Sequence, residues 1–131
     1  MTQNEKDLVL KDLCARLPYD VKVNCNDKVY NFNGIQYFNI CTLTDDNENN
    51  TFTTAGIKYV KPYLFPLSSI TEEQKKEFDQ LIELELKAIN DEIDHIQATA
   101  FEVDFYNKHH FDWRGLIPMG LAIDATNLNI Y

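Results

Sequence analysis

At 131 residues and 15.3 kDa, the chain has the length of one ordinary domain, residues 1–131, and enough surface to bury a core without a disulfide or a metal. Hydrophobic residues at 44% and charged residues at 25% exclude a disordered composition, and no apolar run approaches the ~18–20 residues of a membrane span. Twelve Lys and Arg against 21 Asp and Glu, a net charge of −9, argue against direct nucleic-acid binding, because phosphate-binding surfaces are basic.

Residues 4–16 predict a helix, capped by Asn4 with Asp7 three residues on, and striped by Leu8, Leu10, Leu13, Cys14 and Leu17. Asp7–Lys11 and Asp12–Arg16 are i, i+4 pairs in the favourable acid-first order. Leu17-Pro18 stops the helix, since a residue before proline is pushed out of the helical region. Val21, Val23 and Cys25 alternate with Lys22 and Asn24, a half-buried strand. Asn26-Asp27 predicts a turn and residues 28–32 the returning strand. Asn33-Gly34 is a stronger turn signal, and residues 35–43 come next as a third strand. Residues 44–50 (TDDNENN) read as an exposed loop and 51–54 as a short strand. Ala55-Gly56 reads as a turn, and 57–60 as a further strand. Pro62 demotes the residues after it to a sheet edge or an exit.

Thr71-Glu72-Glu73-Gln74 is a capping box, and Phe78, Leu81, Ile82, Leu86, Ile89 and Ile93 then repeat at helical spacing. This helix ends between Asn90 and Gln97. Phe101, Val103 and Phe105 alternate as in a strand, yet Phe101, Phe105 and His109 also share a helical face. Periodicity leaves both open. Gly115, Pro118 and Gly120 leave room for only a short helical turn or strand near residues 116–123. The expected fold class is α+β: an N-terminal helix, a small antiparallel sheet of four or five strands and a helical C-terminal half.

Three stretches, 11–19 (KDLCARLPY), 60–73 (VKPYLFPLSSITEE) and 107–122 (NKHHFDWRGLIPMGLA), cover about a third of the chain. They resemble a family of small uncharacterised proteins of gut-bacterial phages, prophages and chromosomes. The resemblance implies a bacterial host and favours helix for residues 99–109. It brings no function and no catalytic residue. The family tends to place a proline soon after the position of Leu121, and Ile123-Asp124-Ala125-Thr126 has none.

The polar, acidic start predicts no signal peptide. Cys14, Cys25 and Cys41 fit no zinc or redox spacing, which predicts reduced thiols in a cytoplasm. They are expected to be small buried residues, with Cys25 and Cys41 on neighbouring strands. His109, His110, Asp112 and Arg114 form the densest polar cluster. Adjacent histidines on a helix diverge by about 100°, so a metal site here would need a third ligand such as Asp94 or His95. The simpler expectation is that one His caps the helix end, Asp112 and Arg114 pin the next turn, and Trp113 enters the core. No nucleophile elbow, P-loop or dinucleotide fingerprint occurs, so no cofactor is expected.

Two surface features remain. Between Glu77 and Asp104 stand nine acids and the single base Lys87, with Glu77, Glu83, Glu85, Asp91, Glu92 and Asp94 as candidate partner-binding residues. Tyr19, Tyr30, Tyr37, Tyr59, Tyr63 and Tyr106, with Phe32, Phe38 and Phe52, are either cross-strand packing or a docking face. The leading expectation is a non-enzymatic accessory protein that binds another protein, a basic partner being one option, with no membrane and no direct nucleic-acid contact. One alternative is a nucleic-acid mimic that inhibits a host nuclease or defence protein. The other is a metal-dependent enzyme using His109, His110 and Asp112.

Overall fold

The computed structural model describes residues 1–45, 51–88 and 95–131. Helix α1 (Gln3–Arg16) is capped by Thr2, not Asn4. The Thr2 hydroxyl accepts from the Glu5 N–H at 3.1 Å, and the Glu5 carboxylate accepts from the Thr2 N–H at 2.9 Å. Its buried face is Val9, Asp12, Leu13 and Arg16. Leu17 and Cys14, expected on that face, are exposed. Pro18 ends α1 in a 3-10 turn, Leu17–Tyr19.

Strands β1 (Lys22–Cys25) and β2 (Lys28–Gln36) form the expected hairpin. Asn26 and Asp27 both take positive φ (52° and 62°), the pair of left-handed residues that a two-residue turn matched to strand twist requires. Asn33-Gly34 is not a turn. It lies inside β2, where the register with β3 shifts between Phe32 and Gly34 and Gly34 absorbs the irregularity at φ 147°. The chain reverses later, at Tyr37–Asn39, so the strand expected over 35–43 divides between β2 and β3 (Ile40–Thr44). Strand β4 (Phe52–Gly56) runs through Ala55-Gly56, and Ile57–Tyr59 is a 3-10 turn where a strand was expected. Strand β5 is Lys61–Leu64 and β6 is Ile123–Asp124.

Among the described residues the sheet has six strands in the order β4-β3-β2-β1-β5-β6, not four or five. It is mixed, because β6 pairs parallel to β5 while the other pairs are antiparallel. Cys25 and Cys41 are therefore separated by β2. Pro62 sits in an interior strand instead of an edge. Its ladder with β1 is two pairs long, Val23↔Pro62 and Asn24↔Lys61. Beside it the Tyr131 hydroxyl accepts from the Lys22 N–H at 3.0 Å and donates to the Tyr63 carbonyl at 2.7 Å. A side chain thus bridges the two strands beside the proline, which has no N–H to give.

Thr71 and Gln74 make the expected capping box at the start of α2 (Glu72–Ala88). Residues 99–108 are helical, within α3 (His95–Lys108). Beyond it the chain is turns and β6, so the C-terminal half is helical only in part. Phe78 of α2 meets Phe105 edge-on, centroids 5.0 Å apart. The central core combines Val9 and Leu13 of α1, Val23, Phe32, Cys41, Leu43 and Leu64 of the sheet, and Leu116 and Leu121 of the tail. Residues 46–50 of the expected loop, Ile89, Ile93 and residues 90–94 of the span expected to hold the helix end lie outside the described residues, as do the side chains of Phe38, Leu86 and Phe101, while residues 95–97 of that span belong to α3.

Candidate functional site

The three stretches that carry the resemblance meet at one place. Arg16, with no exposed surface, reaches from the last turn of α1. Its Nε and Nη2 donate to the Asp12 carboxylate at 2.8 and 3.1 Å, and Nη2 also donates to the Phe111 carbonyl at 2.6 Å. Arg114 donates from Nε to the same carboxylate at 3.2 Å and lays its guanidinium 4.0 Å from the Trp113 ring centre. Phe65, just after β5, is clasped by the third stretch: its N–H donates to the His110 carbonyl and its carbonyl accepts from the Asp112 N–H, both at 2.8 Å. One acid thus holds two guanidiniums, and one of those holds a backbone carbonyl 95 residues away.

The His pair does not converge. Helix α3 ends with the Phe111 N–H on the Tyr106 carbonyl (2.8 Å) and the His110 N–H on the Asn107 carbonyl (3.2 Å). This is a Schellman closure in which His110 takes the left-handed position usually given to glycine, φ 62°. A His does stand at the helix end, as expected, but it closes the helix through its backbone. The His110 ring stacks on Tyr131 at 3.8 Å. His109 points elsewhere, with its ring 4.6 Å from Phe105 and Nε2 3.3 Å from a Glu77 oxygen. Burial, then the Arg16 charge, then His109 push the His110 imidazole down to about 4, and its Nδ1 is buried with no protein partner among the described residues.

Asp112 is also committed. Its two oxygens accept from the Leu116 and Ile117 N–H groups at 2.7 and 2.8 Å, so it pins the next turn as expected. Arg114 pins α1 instead of facing Asp112. Trp113 is half-buried, not in the core, and donates from its ring nitrogen to Asn107 at 2.9 Å. Among the described residues no group of three or more His, Cys, Asp or Glu could hold a metal. Asp94 lies outside the described residues, as does the His95 side chain.

Of the acidic candidates, Glu77 is shared between His109 and Lys108, 3.3 and 3.4 Å away. Its carboxyl is held below the usual range, with partial burial opposing these two partners. Glu83 is exposed on α2. Asp91, Glu92 and Asp94 and the Glu85 side chain lie outside the described residues. A cleft of about 320 Å³ lies between α2, α3 and the turn after α1, lined by Tyr19, Phe78, Leu81, Ile82, Asp104, Phe105 and Lys108. The His110–Arg114 group does not line it.

The aromatic expectation divides. Phe32 and Tyr63 are buried, and Tyr30 packs against the core. Tyr37, Phe52 and Tyr59 are exposed, at 83%, 69% and 58%. Phe52 begins β4, the edge of the sheet. Sequence reasoning singled out Phe52 but not the edge, whose one local signal is an uncharged run, FTTAG. No family model, curated protein or solved structure matches the chain.

Proposed function

We propose that this chain is a non-enzymatic protein-binding accessory factor of a bacterial, mobile-element setting, and that it docks its partner along the β4 edge. The observation that carries this reading is the chemistry of that edge. Natural edge strands are blunted by lysines, prolines or bulges. Phe52–Gly56 has none of these and pairs with β3 in unbroken register over all five residues. Among the described residues no strand pairs its outer side. A free edge offers unpaired N–H and C=O groups to an extended segment, and Phe52 supplies an apolar anchor beside them.

The polar cluster that invited an enzymatic reading supports the binding reading by elimination. Asp12 and Asp112 have their oxygens engaged by the fold itself. The test is a photo-crosslinking residue placed at Phe52 in cells, with Glu83 on α2 as the comparison position. Protein adducts at position 52 and few at 83 are expected. Adducts at 83 and none at 52 would move the partner to the acidic face and favour nucleic-acid mimicry.

A further inference from the structure

We infer that the partner at the β4 edge is a second copy of this chain, paired antiparallel about a two-fold axis through Thr54. This rests on the edge-docking reading above and names its occupant. Side chains alternate along a strand. Ala55 and Thr53 pair with Cys41 and Leu43, which are fully buried, so they lie on the core side of the sheet, where Ala55 packs on the core and Thr53 stays exposed. Phe52, Thr54 and Gly56 therefore share the outer face with Thr44, Thr42 and Ile40, their partners on β3.

Placing Thr54 opposite Thr54 of the other copy puts each Phe52 across from a Gly56. There the incoming ring meets apolar surface. Gly56 has no side chain, Ile40 beside it is 38% exposed, and the Tyr59 ring of the same chain, 3.7 Å from where a Gly56 Cβ would stand, forms its other side. One symmetric contact thus covers an exposed Phe52 ring and an exposed Ile40 on each copy. A cross-strand aromatic over glycine is a known means of stabilising such a pair.

Charge sets the direction of the pairing. The net charge of −9 opposes a second copy least at this edge, because Phe52–Gly56 carries no charge. The strand's two ends differ in sign. Asp45 lies beside the start, just after β3, its N–H on the Thr51 carbonyl at 3.1 Å, and Lys58 lies just past the end with its ammonium 4.9 Å from the Tyr59 ring centre. Antiparallel pairing brings the Asp45 end of one copy to the Lys58 end of the other, within a screening length. Parallel pairing would set like ends together. A five-residue edge contact with one aromatic anchor per copy belongs to the small, weak class of interfaces.

The test is sedimentation of the purified chain from about 10 μM to 1 mM, the range in which a weak interface associates. Thr54→Lys and Thr54→Glu, each alone and mixed, complete the set. The wild type is expected to pass from monomer to dimer. Each single variant sets like charges face to face on the axis and should raise the dissociation constant at least tenfold at unchanged melting temperature. The mixture should restore a dimer. A wild type that stays monomeric at 1 mM overturns the inference. So does a dimer indifferent to Thr54→Lys, or variants whose mixture stays monomeric. If the chain is monomeric and Phe52 still crosslinks to another protein, edge docking stands and self-pairing falls. If nothing crosslinks there, both fall.

Discussion

Replacing Asp12 by Ala tests whether the meeting point of the three stretches is a structural closure. Asp12 and Arg16 have no exposed side-chain surface, and Arg114 is 21% exposed. Removing the carboxylate strands a fully buried guanidinium, and breaking a buried pair from one side costs about 3–5 kcal/mol. For a domain of this length each kcal/mol lowers the melting temperature by about 3–5 °C, so a fall of about 10–20 °C is expected. Replacing both partners, Asp12→Leu with Arg16→Met, removes the stranded charge. It leaves the Phe111 carbonyl without its donor, a cost of about 1–3 kcal/mol, while Arg114 can turn to water. The double variant should therefore be more stable than Asp12→Ala alone. Urea and thermal denaturation followed by circular dichroism measure both. A loss below about 1 kcal/mol for Asp12→Ala, or a double variant less stable than the single, would refute the reasoning.

Three further outcomes are expected. His110 is neutral when folded and takes a proton near 6.5 when unfolded. Its contribution is therefore complete above about pH 6.5 and is lost as pH falls toward about 4. The loss is at most about 3 kcal/mol, and His110→Asn, which tolerates the left-handed backbone, should flatten this slope in denaturation at pH 4.5, 5.5 and 7. A thiol reagent should modify exposed Cys14 in the native protein and reach Cys25 and Cys41 only after urea. Burial leaves Cys41 without accessible surface and pushes its thiol up to about 12. Zinc or manganese should leave the melting temperature unchanged; a rise abolished by His109→Ala would revive the metal-dependent enzyme.

What the sequence reveals is what local chemistry decides. The Thr71–Gln74 box, the alternation through Val21, Val23 and Cys25, and the proline stop after α1 are set by neighbours a few residues apart. Asp12–Arg16 is also legible as an i, i+4 pair, but its burial is not. That pair becomes interior when Phe111 and Arg114, 95 and 102 residues away in sequence from their partners, close over it. Asn33-Gly34 misleads for the same reason. The dipeptide favours a turn, yet pairing on both sides of it, Phe32↔Leu43 and Ile35↔Cys41, keeps it in the strand as an irregularity. Strand β6 has two residues and no pattern to detect. The β4 edge is half visible: Phe52 stands out as an aromatic, but edge position is a property of strand order.

A site and a structural closure look alike in a sequence, because both collect polar residues with fixed spacing. The structure weighs them by which polar atoms the fold engages; in this cluster Arg16 Nη1 and His110 Nδ1 are buried with no protein partner among the described residues, and the carboxylates are engaged. Both oxygens of Asp112 are on backbone N–H groups, those of Asp12 on guanidiniums, and the Trp113 N–H is on Asn107. Changing any of them lowers the amount of folded protein, so a screen that reads only loss of function would mark these residues as an active centre. Phe52 and Thr54 behave oppositely. They are exposed, so their substitution is expected to change association and not melting temperature. Measuring both quantities on the same variants distinguishes a residue that builds the protein from one that the protein uses.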